Sequence, residues 1–308
     1  MGFLTGKTAI ITGAGRAVLK DGSCGSIGYG IATAYAKEGA NLVITGRNVK
    51  KLEAAKQELE SLYGIKVLTV QADVCAGGNN EATVANVVKQ AVDTFGGIQV
   101  LINNAQASAS GVPLTEHTTE QFDLAIYSGL YAAFYYMKAC YPYLAESHGS
   151  VINFASGAGL FGNFGQSAYA AAKEGIRGMS RVAATEWGKD GINVNVVCPL
   201  AWTAKLEQFR DAYPDAFKAN VKMPPMGHYG NADGDWPCLR PAGHAGFQVY
   251  VRRDLDAGRR HGPETVKRHH LLPCITNPRL PDGAGGGDFC SDSRSGQIKC
   301  KPEHQQPR

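Results

Sequence analysis

Tyr169 and Lys173 form a Tyr-x-x-x-Lys step, and Ser156 lies thirteen residues before the tyrosine. Positions i and i+4 of a helix share one face, so this spacing lets a phenol and an ammonium converge. A free tyrosine has a pKa of about 10 and is a poor base at neutral pH. A neighbouring ammonium favours the phenolate and is expected to lower that value. A serine hydroxyl at hand can hold a substrate oxygen while the proton moves. Taken singly, each residue is ambiguous. A helix tyrosine is most often packing, and a helix lysine is most often a surface charge. Joined to a nucleotide cradle, the three describe hydride transfer between a nicotinamide and an alcohol or ketone.

The cradle is written at the front of the chain. Thr12-Gly13-Ala14-Gly15 follows a short apolar run, and Ser26-Ile27-Gly28-Tyr29-Gly30 opens the next helical stretch. Gly13, Gly15 and Gly28 allow a backbone to approach a pyrophosphate, with Ser26 and Ile27 at the helix N-terminus that meets it. The segment between, residues 16–25, is long for a phosphate loop and contains Arg16 and Lys20, candidate partners for an extra phosphate. The second strand ends in Arg47 where a carboxylate would bind ribose hydroxyls. Arginine can fork onto a 2′-phosphate, which argues for NADP over NAD. The competing reading of Arg47 is a solvated cation at a helix start. Asp73 and Val74 end the third strand, beside an adenine, and Asn103 ends the fourth, beside a ribose. Asparagines there can also be caps or turns.

The elements that position these residues alternate. Apolar runs at 7–12, 41–45, 67–72, 100–103, 150–155 and 192–197 are separated by helical stretches at 27–38, 48–63, 81–95, 122–145 and 168–187. Strands alternating with helices of this length imply βαβ units and a parallel sheet. Almost wholly apolar strands imply helices on both faces. The fold class is α/β, a doubly wound, Rossmann-like sheet over residues 1–235.

Composition narrows the function. The 308 residues carry a net charge of +4 and are 44% hydrophobic. The front part shows no basic stripe, which speaks against nucleic acid. No apolar run approaches the ~20 residues of a membrane span, and the first residues lack a signal peptide's apolar stretch. Cys24, Cys75, Cys140 and Cys198 are scattered and read as reduced. A cytoplasmic enzyme is the expectation. Cys238, Cys274, Cys290 and Cys300 match no compact metal-ligand spacing, so no metal is expected.

Beyond residue 235 neither period survives, and residues 236–308 read as an irregular tail rich in Arg, His, Pro, Gly and Cys. Back-translating residues 247–262 with a one-base shift permits a strand-like string ending in glycines, and Val266-Lys267 then permits a stop codon. The shifted string resembles the last strand of a dinucleotide-binding dehydrogenase. The tail is therefore read as a frameshifted translation, with the sheet's last strand missing or replaced.

These residues together resemble the short-chain dehydrogenase/reductase superfamily over residues 3 to about 235. The resemblance implies Ser156, Tyr169 and Lys173 as the catalytic set. It implies cofactor contacts at Gly13, Gly15, Gly28, Asp73, Val74 and Asn103, with Tyr169 and Lys173 at the nicotinamide end. Thr203 lies near, but not at, the usual carboxamide-binding offset. The stretches 26–32, 105–111, 127–131, 156–162, 170–178 and 198–201 are more similar still to the bacterial NADP-dependent 12α-hydroxysteroid dehydrogenases. That likeness implies reversible oxidation of the 12α-hydroxyl of cholate-type bile acids, in an oligomer that is a tetramer in relatives. Phe161, Phe164, Trp202, Tyr127 and Met223 are candidates for an apolar steroid pocket. Two readings stand beside it: a reductase of another steroid position or of an acyl-carrier-protein substrate, and a nucleotide-binding protein made inactive by its altered end. Three positions depart from the family pattern. Gln106 replaces a glycine, Gly129 stands where a helix asparagine supports the lysine, and Leu200 replaces a glycine. Ser128 or a water chain is the expected substitute for that asparagine.

Overall fold

The computed structural model describes residues 2–75, 80–221 and 229–232. Six strands form one parallel sheet: β1 (Thr8–Thr12), β2 (Asn41–Gly46), β3 (Val67–Gln71), β4 (Val100–Asn103), β5 (Ser150–Phe154) and β6 (Asn193–Val197), in the spatial order β3-β2-β1-β4-β5-β6. The order reverses between β1 and β4, and a doubly wound sheet opens its ligand crevice at that point. The register there pairs Ile11 with Ile102, and on the flanks Thr12 with Thr45 and Asn103 with Asn153. All five residues of β1 and of β5 are buried, as the apolar runs predict for strands covered on both faces.

The two-residue period of the strands divides the core. Ile11, Ile44, Ile102 and Phe154 pack on α1 (Ile27–Lys37) and α2 (Val49–Tyr63) through Ile31, Tyr35, Leu52 and Leu59. Ile10, Val43, Leu101 and Val151 face the other way. They meet α3 (Asn80–Phe95), α5 (Ala132–Ser147) and α7 (Ser167–Trp187) through Val84, Val87, Tyr136, Leu144 and Ala183.

The long helix expected over 122–145 is three pieces. Helix α4 (Thr119–Ala125) begins at a capping box, Thr118 with Gln121. A π segment (Ile126–Tyr131) follows, and α5 continues past Pro142 to Ser147. A π register widens one turn and is frequent at functional sites. Residues 16–25 form a small hairpin with a Val18–Cys24 bridge and a left-handed Gly22. Short elements unread in the sequence complete the description: α6 (Gly157–Phe161), α8 (Ala204–Ala212), α9 (Pro214–Val221), and the paired β7 (Ala201–Trp202) and β8 (Gly230–Asn231). Strand β6 ends the sheet among the described residues. The tail, its cysteines, the frameshift and the missing last strand all lie outside the described residues, as does Met223.

Candidate active site

A cleft of about 620 Å³ opens over the C-terminal ends of β1, β2 and β4. Gly13, Gly15, Ser26, Ile27, Gly28, Arg47, Val74, Asn103 and Thr203 line it, whereas Ser156, Tyr169 and Lys173 do not. Close approach requires the glycines. Gly13 has φ 71°, and a Cβ there would stand 3.1 Å from Ala105 Cα. A Cβ on Gly28 would stand 2.3 Å from the Gly13 carbonyl oxygen. Ser26 caps α1 by accepting from the Tyr29 N–H at 3.3 Å, leaving the first-turn N–H groups at the mouth of the cleft. Such a helix start carries a partial positive charge suited to a phosphate. These features fit a dinucleotide.

Thr12 joins the strand ends. Its hydroxyl donates to Ile102 O and accepts from the Asn104 and Ala105 N–H groups, each at 2.9 Å. Asn104 returns a bond from Nδ2 to Thr12 O at 2.8 Å. Asn103 Nδ2 donates to Asn153 Oδ1 at 2.8 Å, while its own Oδ1 is buried without a partner. At the other end, exposed Arg47 donates to Cys75 Sγ at 3.6 Å, beside Asn48 and Lys51 on the cleft wall.

Some expected contacts are elsewhere. Arg16 does not line the cleft: its guanidinium is paired with Glu58 of α2, and this pairing raises its pKa. Lys20, also considered for an extra phosphate, donates from Nζ to Asp211 at 2.6 Å and from its backbone N–H to Glu207 at 3.0 Å. With Ala204 N donating to Gly25 O at 2.9 Å, the hairpin straps the phosphate loop to α8. Asp73 is exposed, off the cleft wall, and accepts from the Cys75 N–H at 2.9 Å. Thr203 caps α8, accepting from the Leu206 N–H at 3.3 Å.

The three residues singled out first do meet. Ser156 follows β5 and caps α6, accepting from the Ala158 N–H at 3.1 Å. Tyr169 and Lys173 sit one turn apart on α7, with Lys173 Nζ 5.5 Å from the centre of the tyrosine ring. Lys173 is 3% exposed and donates to Phe154 O at 2.6 Å, which ties α7 to the end of β5.

The expected electrostatics need correction. Burial pushes the Lys173 pKa down to about 7, because desolvation penalises the ammonium. Tyr169 is raised, not lowered: desolvation of the phenolate outweighs the hydrogen bond to Ser156. Sequence spacing places the two groups together but does not reveal how dry their site is.

Ser128 is also corrected. Its hydroxyl donates to Leu124 O at 2.5 Å and accepts from the Ala107 N–H at 3.0 Å, so it staples a loop to the π segment. It does not replace an asparagine. Arg177 was missed. It grips Glu174 at 3.1 Å and reaches Ser156 O and Cys198 Sγ, each at 3.3 Å, so it holds the backbone that carries the serine. Its position one turn after Lys173 was the available signal. Of the aromatic candidates, Phe161 and Phe164 are exposed, and Tyr127 stacks on Tyr131 at 5.1 Å. Trp202 packs on Phe217 and under Arg210.

The chain is similar to known proteins. The family described as enoyl-(acyl carrier protein) reductase matches residues 22–234. The chain is 64% identical over 235 residues to a 12alpha-hydroxysteroid dehydrogenase of a Clostridium species, across 76% of this chain and 88% of that protein. It is 33% identical over 225 residues to levodione reductase of Leifsonia aquatica, across 70% of this chain and 83% of the relative. Among solved structures it is similar to a levodione reductase, with a TM-score of 0.67 and 30% identity over 77% of this chain and 88% of that one. It is similar also to L-sorbose reductase of Gluconobacter frateurii in complex with NADPH and L-sorbose. That likeness has a TM-score of 0.68 and 26% identity over 77% of this chain and 89% of the other.

Proposed function

The chain belongs to the short-chain dehydrogenase/reductase family and is an oxidoreductase, and from that premise we propose that it interconverts the 12α-hydroxyl and 12-oxo groups of cholate-type bile acids with NADP. The reading is carried by the Ser156, Tyr169 and Lys173 cluster together with a glycine-lined cleft, whose lining includes Ile176, one turn beyond Lys173 on α7. The steroid position is supported by the 64% identity with the Clostridium enzyme. NADP is supported by Arg47 at the end of β2, with Lys51 beside it and no carboxylate lining the cleft there.

Gly13, Gly15, Ser26, Ile27 and Gly28 would hold the pyrophosphate, Arg47 the 2′-phosphate, Val74 the adenine, and Asn103 and Lys173 the nicotinamide ribose. Thr203 would meet the carboxamide. The bound nicotinamide supplies the acceptor for the hydride that leaves the carbinol carbon. Ser156 holds the substrate oxygen by hydrogen bond. Tyr169 takes the hydroxyl proton during oxidation and returns it during reduction. Lys173 orients the ring and, when charged, favours its phenolate. Arg16 and Asp73, set off the cleft, would act on the cofactor only through the loops they brace.

No helix among the described residues is long and apolar enough to cross a membrane. A cytoplasmic setting accords with Cys24, Cys75, Cys140 and Cys198, which form no disulfide among the described residues. A homo-oligomer is supported by apolar exposure along α4, the π segment and α5: Phe122, Tyr131 and Phe134. The direct test is incubation with cholate and NADP, following nicotinamide absorbance and identifying the oxidised carbon. Oxidation at carbon 3 or 7, or of an acyl-carrier-protein substrate in its place, would replace the 12α assignment. Binding without turnover would replace the enzyme reading of this literal chain by that of a nucleotide-binding protein.

A further inference from the structure

The charged side chains that line the cleft are all of one sign. Arg47 and Lys51 stand around the end of β2, Lys205 stands on α8, and no described aspartate or glutamate shares the wall. A cleft lined in this way concentrates anions. In the cofactor reading Arg47 and Lys51 serve the adenosine end. Lys205 is set apart from them, among Thr203, Ala204 and Gln208 of its own helix.

Helical periodicity gives α8 two faces. Lys205 and Gln208 are three positions apart and share one side, whereas Glu207, Arg210 and Asp211 fall on the other. The first side lines the cleft. The second is engaged by the hairpin at 16–25. Glu207 accepts from the Lys20 N–H at 3.0 Å and from Arg210 Nη2 at 3.4 Å. Asp211 accepts from Lys20 Nζ at 2.6 Å and from Arg210 Nε at 3.0 Å. Arg210 also covers the Trp202 ring at 5.1 Å. Both carboxylates of α8 are thus neutralised on the side away from Lys205.

The hairpin also fixes where α8 begins. The Ala204 N–H donates to Gly25 O at 2.9 Å, and a Cβ on Gly25 would stand 3.1 Å from Ala204 Cβ. Gly25 precedes Ser26, the cap of α1, and Ala204 follows Thr203, the cap of α8. Two helix starts therefore abut on the cleft wall, each with its partial positive charge. Lys205 is the next residue along. Its four-carbon stem carries a point charge to the part of the cleft where the α1 start meets the pyrophosphate.

We propose that Lys205 is a cofactor-binding residue whose ammonium, delivered by the strap between the hairpin and α8, pairs with the diphosphate of the dinucleotide. The inference rests on the reading of the cleft as a dinucleotide site and deepens it. The long segment 16–25 brings α8 to the diphosphate, and the glycine loop does not hold that group alone. Two other anions compete for the same ammonium, the 2′-phosphate and the carboxylate of a cholate-type steroid, and the experiment separates them.

NADP and NAD are titrated by fluorescence, at low and at high salt, into the full chain and its Lys205→Met and Lys205→Arg variants. Lys205 is exposed, so neither change disturbs folding. Lys205→Met weakens both dinucleotides by the same factor, about tenfold at low salt, the worth of a charged hydrogen bond. It also flattens the salt dependence of both affinities. Lys205→Arg keeps the charge and restores most of the loss. Unchanged affinities in Lys205→Met overturn the proposal. A loss confined to NADP gives the ammonium to the 2′-phosphate and overturns it too. Unchanged affinities with a raised KM for cholate give it to the steroid carboxylate, which overturns it as well. An equal loss with an unaltered salt slope, not restored by arginine, makes Lys205 mere packing for α8 and refutes the pairing. An unaltered protein that binds neither dinucleotide refutes the cofactor reading itself, and that result is distinct from every outcome of the variants.

Discussion

Replacing Lys173 by methionine removes the most deeply buried cation of the site while keeping its length and apolar stem. The lysine is 3% exposed and its pKa falls from 10.5 to about 7. The unfolded chain therefore binds a proton between those values that the folded chain releases. Stability must then rise with pH across that window and level off above the unfolded value. A fall from 10.5 to about 7 corresponds to about 5 kcal/mol in full. The part realised between pH 7 and pH 9 is about 2 kcal/mol. Urea unfolding of the protein and of Lys173→Met at both pH values isolates this contribution, because other groups cancel in the difference. The variant is expected to be the more stable at pH 7, with its advantage shrinking by about 2 kcal/mol at pH 9. A difference that does not vary with pH would mean that the ammonium stays charged in the fold, and the desolvation argument would fail.

Two further outcomes follow from the geometry and one from the sequence. Arg47→Ala weakens NADP binding by about 10- to 100-fold, the worth of a charged hydrogen bond, and leaves NAD binding unchanged; titrating both dinucleotides by fluorescence reads this directly. Gly28→Ala places a methyl 2.3 Å from Gly13 O, so the phosphate loop must move; affinity for both dinucleotides falls together, without the NADP bias of the Arg47 variant. Resequencing the gene from codon 236 tests the tail, where a one-base shift restoring a strand followed by a stop is expected and an unbroken frame through Trp236 refutes it.

The apolar runs made the sheet legible because each strand is buried on both faces and bounded by glycines or polar residues. Helix boundaries fell within a few residues wherever an ordinary cap stood at the end. The stretch 122–145 was read as one helix, and only the local hydrogen bonds distinguish the π segment within it. The helix start was signalled by Thr118 and Gln121, a capping box that was not used. The cradle and the Ser156, Tyr169 and Lys173 cluster were legible through spacing, since glycine loops and an i, i+4 step are local. What was hidden depends on distant partners. Arg16 finds Glu58 across 42 positions and leaves the phosphate site. Gln106 and Gly129, read as separate departures, are two halves of one contact. The direction of the Tyr169 shift is set by burial, which charge proximity alone does not report.

The central claim is that the Tyr169 hydroxyl exchanges a proton with the substrate carbinol. Tyr169→Phe removes one oxygen, and NADP titration checks that the cofactor cleft is intact. With cholate and NADP, the account predicts that the rise in nicotinamide absorbance slows by about 10²- to 10⁴-fold while dinucleotide affinity persists. A rate equal to that of the unaltered protein would contradict it.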